Sequence, residues 1–569
     1  MEQKDFCLKP GAEHANNGAM NGQTQQDAIP TAERVNATLP SGESMQIGHS
    51  IHSEIQEYLR IRKQRRWAFP RAALVGALAG LMALCFRISL ARAEVFRTGL
   101  TEWAHRVPAW GWMLPVGFTL CGAVISVFLV RRFAPEAAGS GIPHLEAVLR
   151  RFRTLEWKRV LPVKFFGGLL ALGGGLALGR EGPTVQMGGA VGDAVSRLLR
   201  VSGRERLALI SAGAGAGLAA AFNAPLSGLI FVLEEVRRDF QPVVFGAAFV
   251  AAAVASIVAR AGAGQVPIFH MPSYPVPPLG ALPLFAVLGL ATGLLGVLFN
   301  KSLYASLNLY ARIPPRFTLL AVALTGGAVG LVGWFSPDMI GGGHELAESA
   351  LRGDMLLYAI PLCFGVRFLL TITNYGCGAP GGVFAPLLVL GAFIGLAIGE
   401  LAHGFAPSLV PIPAVFAVVG MAAYFTAIIR APLTGIMLIV EMTGNYAQML
   451  PLLVACFCAY AVAEWLKDIP LYEGLMERDL RRGGDMDMLK DPAVVDFIVQ
   501  EGSAFVGRHV RSLGLPAGCI LVRCSDGQHE WVPKADTQIE AHMRVTAMIA
   551  PEAAGGLEIL RQGCATRSD

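Results

Sequence analysis

Apolar residues dominate this chain from about 70 to about 470, and both ends are polar. An apolar run of roughly 20 residues is long enough to cross the hydrocarbon core of a bilayer. A first span is predicted over about 71–92 and a second over about 110–130, closed by Arg131 and Arg132. Residues 51–67 predict a short amphipathic helix ending in Arg60, Arg62, Lys63, Arg65, Arg66 and Trp67. A basic cluster with a tryptophan beside a first span is an interfacial anchor and places the N-terminus in the cytoplasm. Beyond this hairpin the apolar pattern breaks up. Segments at about 143–152, 161–178, 183–199, 207–221, 225–236 and 243–260 are short and interrupted by Gly and Pro. A second set follows at about 280–304, 317–334, 356–374, 386–402, 411–428, 432–442 and 449–465. Irregular backbone at membrane depth survives only where protein or a cavity surrounds it. Broken helices therefore point to a binding site near the bilayer midplane.

The pattern also repeats. Ala224-Pro-Leu-Ser-Gly-Leu-Ile-Phe-Val-Leu-Glu-Glu235 is echoed by Ala431-Pro-Leu-Thr-Gly-Ile-Met-Leu-Ile-Val-Glu-Met442. Gly179-Arg-Glu-Gly-Pro183, followed by Gly188 and Gly192, is echoed by Gly382-Val-Phe-Ala-Pro386, followed by Gly391 and Gly395. Pro225 and Pro432 lie 207 positions apart, and Pro183 and Pro386 lie 203 apart. Two paired blocks at nearly one offset predict two related halves, about 71–260 and 275–465.

Composition agrees with this reading. Of 569 residues, 53% are hydrophobic and only 16% charged, against roughly a quarter charged in soluble domains. The net charge of +5 is small, and basic residues sit beside apolar runs. That distribution sets membrane topology and argues against nucleic-acid binding. The first 50 residues predict a disordered tail with no secretory signal. The ten cysteines show no C-x-x-C spacing. They read as small buried hydrophobes, with no disulfide framework, metal site or cofactor.

Three motifs carry the candidate chemistry: Gly139-Ser-Gly-Ile-Pro143, Gly179-Arg-Glu-Gly-Pro183 and Gly382-Val-Phe-Ala-Pro386. Each sets Gly before Pro and then an apolar run, the signature of a helix start. Glycine lets a ligand approach the backbone. A helix N-terminus offers free N–H groups and about half a positive charge. Three such ends together would hold an anion without a full positive charge, which suits turnover. Glu181 sits inside one motif, where its carboxylate would compete with the anion for the same N–H groups and leave when protonated. A salt bridge to Arg180 is the plainer alternative. Glu234, Arg237, Arg238 and Asp239 read as a helix end at the cytoplasmic surface. Glu441, Arg367 and Arg430 read as structural.

These residues resemble the CLC family of chloride channels and proton-coupled chloride transporters. The resemblance runs over about 60–475 and adds Ala219-Ala-Ala-Phe-Asn-Ala-Pro-Leu226 and Pro470-Leu-Tyr472 to the three motifs. It implies an all-α polytopic membrane protein of two inverted repeats with many tilted, partly broken helices. It also implies a homodimer with one anion pathway per subunit. By position, Ser140 and Tyr472 would supply hydroxyls to the anion. Gly141, Ile142, Arg180, Gly182, Val383, Phe384 and Ala385 would surround it, Val383 and Phe384 through backbone N–H groups. Glu181 would be the external gate and Glu235 the internal proton-transfer acid. The acid at Glu235 favours an antiporter over a passive channel, and Ser140 favours chloride.

The C-terminal flank resembles a TrkA-C module over about 492–552, a small α/β cytoplasmic domain. Gly507-Arg-His-Val-Arg-Ser-Leu-Gly-Leu-Pro516, Cys519-Ile-Leu-Val-Arg523 and Trp531-Val-Pro533 carry the likeness. Alternation at 494–499, 519–523 and 545–549 predicts strands. The usual Gly-Asp before the last strand is replaced by Ala541-His-Met-Arg544. Such modules often dimerise and sense small ligands, which leaves a small-molecule regulator open beside a purely assembly-promoting role. The expected layout is a tail over 1–50, a membrane domain over 51–475, a linker over 476–491, the module, and a C-terminal tail over 553–569. The expected location is a bacterial inner membrane with both termini cytoplasmic. A potassium pathway is disfavoured because no T-V-G-Y-G filter is present, and an intramembrane enzyme because H-E-x-x-H and G-x-S-x-G are absent.

Overall fold

The structure is a computed structural model that describes residues 43–565, apart from 108, 202, 239–240, 265–268, 270, 273, 484–492, 527–528, 551–552 and 554. Most of the expected N-terminal tail lies outside the described residues. The chain divides into one compact unit ending at Ile61 and a second from Arg62 onward.

In the first half the helices are α1 (Glu43–Ala104), α2 (Met113–Phe133), α3 (Ile142–Leu149), α4 (Trp157–Gly173), α5 (Glu181–Leu198), α6 (Gly203–Phe222), α7 (Pro225–Phe231) and α8 (Pro242–Ala263). The second half holds α9 (Leu282–Arg312), α10 (Thr318–Phe335), α11 (His344–Arg352), α12 (Ile360–Gly376), α13 (Phe384–Phe405), α14 (Ala414–Ile429), α15 (Pro432–Thr443) and α16 (Met449–Trp465). Then come α17 (Leu471–Gly483) and, at the C-terminus, α18 (Gly555–Cys564). Seven helices among the described residues are long and apolar enough to cross a membrane. The protein is a multi-pass membrane protein, and α3 and α14 are buried along their whole length.

Four expectations shift. The predicted anchor helix and first span form one continuous helix, α1, which starts inside the expected tail. The nine-residue α11 was invisible as an apolar run because four of its residues are charged or histidine. Helix α17 extends into the expected linker, whose remainder lies outside the described residues. Helix α18 forms where a tail was expected, because Gly556, Leu560, Gly563 and Cys564 bury against the C-terminal domain.

The two halves pack alike. Helix α5 lies on α6 and α13 on α14, each pair at backbone contact. A Cβ at Gly188 would collide with the Gly213 carbonyl, and one at Gly391 would lie 2.5 Å from the Gly420 carbonyl. Small residues let helices approach this closely, and dispersion and close packing then stand in for the hydrophobic effect inside the bilayer. Across the halves, α7 packs on α15.

After the membrane part, β1 (Ala493–Ile498), β2 (Cys519–Ser525), β3 (Glu530–Trp531) and β4 (Arg544–Ile549) form one antiparallel sheet in the order β1-β4-β2-β3. Val499, Phe505, Leu521, Val545, Ile549 and Leu560 build its core. Phe152, between α3 and α4, packs both on this core and on Met476 and Leu480 of α17. His542 takes a positive φ of 67° just before β4, a conformation glycine adopts more readily. The nine described cysteines are free, and Cys85 and Cys121 are exposed on the outer faces of α1 and α2 rather than buried.

Candidate anion-binding site

Each of the three motifs turns directly into a helix: Gly139–Pro143 into α3, Gly179–Pro183 into α5 and Gly382–Pro386 into α13. None of the three helices has a side-chain cap from its N-cap residue. Their free N–H groups are left for another partner.

The motifs meet, although two of them lie about 200 residues apart in the chain. Gly179 and Gly382 form an antiparallel bridge, the Gly179 N–H donating to the Gly382 carbonyl at 2.6 Å and the reverse at 2.8 Å. A Cβ on Gly182 would lie 2.8 Å from Ser140 Cβ and 3.0 Å from Gly382 Cα. The second motif is thereby in contact with the first and the third, and only glycine fits at their junction. Ser140 is fully buried, its N–H 3.5 Å from the Tyr375 hydroxyl and its Oγ 3.4 Å from the Ile142 N–H. Gly141, at φ +79°, has no room for a side chain beside Gln186.

Glu181 is buried and its carboxylate faces the backbone N–H of Ala385 at the start of α13. Its Oε2 has no hydrogen-bond partner. Arg180 Nε lies 3.9 Å from Glu181 Oε1, beyond hydrogen-bond range. The two therefore form a long ion pair without a hydrogen bond. Val383 and Phe384 are fully buried, and the Phe384 ring rests 4.5 Å from Phe425 and 5.7 Å from Phe222, between centroids. Tyr472, on α17, is fully buried and its hydroxyl has no partner. Its electrostatic neighbours include Glu181, Glu235 and Tyr375.

Two cavities flank the junction and share no lining residue. One, of about 320 Å³, is lined by Gly179, Arg180, Glu181, Ala385, Arg87 and His344, among others. The other, of about 550 Å³, is lined by Gly139, Gly141, Tyr375, Arg153, Arg478 and Arg482, among others. Glu181 thus borders one cavity, and the Ser140 motif the other.

Glu235 lies in a π-helical turn, Val232–Val236, that continues α7. It is buried and faces Arg238 at 3.7 Å, while Arg238 also bonds Glu473 of α17 at 2.9 Å. Glu235 lines neither cavity directly. Such π-turns often mark functional positions.

Sequence reasoning missed Lys164. It is fully buried in α4 and donates to the Ala137 and Gly139 carbonyls at 2.9 and 2.6 Å. The Lys164 amine therefore holds the backbone of the first motif from behind. A lone lysine inside an apolar run was the available signal. Glu234 also needs correcting. Its carboxylate accepts from the Leu433 and Thr434 N–H groups at 3.0 and 2.7 Å, so it caps α15 rather than ending a helix at the surface. Glu441 does the same for α7 through the Leu226 and Ser227 N–H groups at 3.1 and 2.7 Å. Arg367 donates to the Met339 and Gly341 carbonyls, and Arg430 pairs with Glu464 and Asp468.

Two related halves, broken helices at membrane depth and unfilled helix N-termini at their junction define a multi-pass transporter-type membrane domain. The family model described as Voltage gated chloride channel matches residues 121–464, more than half of the chain, and the protein belongs to this family, the CLC family. A TrkA-C domain matches residues 494–558. The chain is 43% identical over 421 residues to the H(+)/Cl(-) exchange transporter ClcA of Vibrio parahaemolyticus, covering 72% of this chain and 89% of that one. It is 40% identical over 419 residues to ClcA of Cronobacter sakazakii, with the same coverage. A slow cyanobacterial Cl-/H+ antiporter of known structure superposes with a TM-score of 0.71 at 36% identity, covering 73% of this chain and 99% of that one.

Proposed function

We propose that this protein exchanges chloride for protons across a membrane, with Glu181 as the outer gate and Glu235 as the inner proton-transfer acid. The observation that carries this reading is the contact of three uncapped helix starts around Gly182, with the Glu181 carboxylate turned onto the N–H of Ala385. A carboxylate and a halide want the same partners: N–H groups and the positive end of a helix. Chloride binds among Ser140, Gly141, Ile142, Gly182, Val383, Phe384, Ala385 and Tyr472, and Arg180 draws anions toward the outer cavity. Glu181 takes the place of a departing chloride and vacates it when a proton arrives. Glu235 hands protons between the cytoplasm and this site. Exchange follows because anion and proton use Glu181 in turn. The named activities of the ClcA relatives support the same cargo.

The protein works as a homodimer in a bacterial inner membrane, with both termini cytoplasmic. There the TrkA-C domain sits beside the inner cavity, through Phe152, and regulates transport or assembly.

The test is transport by the purified protein in liposomes. A chloride gradient drives protons uphill under this reading; passive chloride flux without proton movement would mean a channel. Glu235→Gln abolishes proton movement while chloride still passes. Glu181→Gln gives uncoupled flux that no longer responds to pH. Retention of uphill proton movement in Glu235→Gln, or of pH dependence in Glu181→Gln, refutes the corresponding role.

A further inference from the structure

Among the described residues, Glu146 is a carboxylic acid with no hydrogen-bond partner on either oxygen. It is fully buried, and it makes no ion pair within 4 Å. It lies on α3, the helix that begins at the Ser140 motif. Four residues separate it from Ile142, about 6 Å along the helix axis at ~1.5 Å per residue. Helix α3 packs against α5, α6, α17 and the π-helical turn that carries Glu235. The charged groups that face Glu146 are Glu235 and Arg238 from that turn and the residues after it, Glu473 from α17, and Arg150 from its own helix end. Tyr472 on α17, whose hydroxyl is also unpartnered, counts Glu235, Glu146 and Glu181 among its electrostatic neighbours.

A buried, ionised carboxylate without a partner is costly, and a proton removes that cost. A structural role would leave hydrogen bonds behind, as Glu234 and Glu441 do. Glu146 has none. Its helix packs on the turn that carries Glu235, and Glu146 itself lies one helical turn from the anion motif.

We infer that Glu146 is a relay acid in the proton path, receiving protons from Glu235 and passing them toward Glu181 along the line marked by Tyr472. In this step the O–H bond at Glu235 breaks and an O–H bond forms at the Glu146 carboxylate. The proton then leaves Glu146 for the Glu181 side, with no change of oxidation state and no co-reactant. The inference rests on the exchange reading and on the role of Glu235 within it.

The experiment compares full-length wild type, Glu146→Gln, Glu146→Asp and Glu235→Gln in liposomes, reading protons moved per chloride from the voltage at which net flux vanishes. This ratio is insensitive to how much protein folds. Glu146→Gln is expected to lower proton flux on the order of tenfold or more, in line with loss of a positioned proton-transfer group. Glu146→Asp, which keeps the acid, is expected to retain a measurable part of it. A wild-type ratio in Glu146→Gln, with Glu235→Gln uncoupled, overturns the relay and leaves the exchange reading standing. Equal ratios in the Asp and Gln variants also overturn it, because they indicate a packing role. Proton pumping by Glu235→Gln would instead remove the reading on which the relay rests. Should Glu146→Gln not fold, the Asp variant decides by itself: a ratio equal to that of Glu235→Gln counts against the relay.

Discussion

Two sets of helix N-termini in this protein are treated in opposite ways. Those of α7 and α15 are closed. Glu441 binds two N–H groups and the Ser227 hydroxyl of α7, and Glu234 binds two N–H groups and the Thr434 hydroxyl of α15. Glu441 comes from α15 and Glu234 from the π-helical turn that continues α7, so the two halves lock reciprocally. The starts of α3, α5 and α13 are open. None is capped by the side chain of its N-cap residue, Gly141, Arg180 or Val383, and the carboxylate beside them, Glu181, has an oxygen with no partner. The same physics applies to both sets: a helix start at membrane depth needs negative charge. A fixed glutamate on each partner makes a joint. A glutamate with an unpartnered oxygen beside uncapped helix starts is the arrangement that the proposed exchange with an ion requires.

The comparison breaks most visibly at Gly182. Gly182→Ala forces a methyl group against Ser140 and Gly382, so chloride efflux from liposomes is expected to fall roughly a hundredfold, consistent with the cost of small misplacements at an active site. Efflux near wild type would show that the three motifs need not touch. On the closed side, Glu441→Ala strips three hydrogen bonds from α7. It is expected to destabilise the fold by about 2–3 kcal/mol, the range for charge-assisted bonds and helix caps. Chemical denaturation in detergent measures this, and the folded fraction should keep the wild-type proton-to-chloride ratio. A changed ratio with unchanged stability would reverse the assignment of the two sets. Ser227→Ala removes only the hydroxyl contact. It should cost about 1 kcal/mol, a typical hydrogen-bond contribution, in the same denaturation experiment.

The helix starts themselves were legible, because Gly and Pro at the head of an apolar run leave few other conformations. The repeat was legible too, and it paired Glu234 with Glu441. That each caps the other half's helix was not, because sequence offset says which positions are equivalent and not which ones touch. The contact of Gly182 with Ser140 and Gly382 is likewise tertiary. Helices α11 and α17 escaped notice because they are short and polar, and their stability comes from packing rather than from an apolar run. Lys164 and Glu146 were readable only as isolated charges near apolar text. Both are buried, and hydrogen bonding distinguishes them: Lys164 donates to two backbone carbonyls, and Glu146 has no partner.

The central claim is that open helix N-termini form the anion site. Crystals or vitrified particles grown in bromide, with anomalous diffraction or halide-substitution difference maps, test it most directly. The account predicts bromide at the meeting of the α3, α5 and α13 starts, within reach of Ser140 Oγ and Tyr472 Oη. In Glu181→Gln a further bromide should occupy the position now held by the carboxylate. Bromide bound elsewhere, at Lys164 or in the arginine-lined cavity alone, with this junction empty, would contradict it.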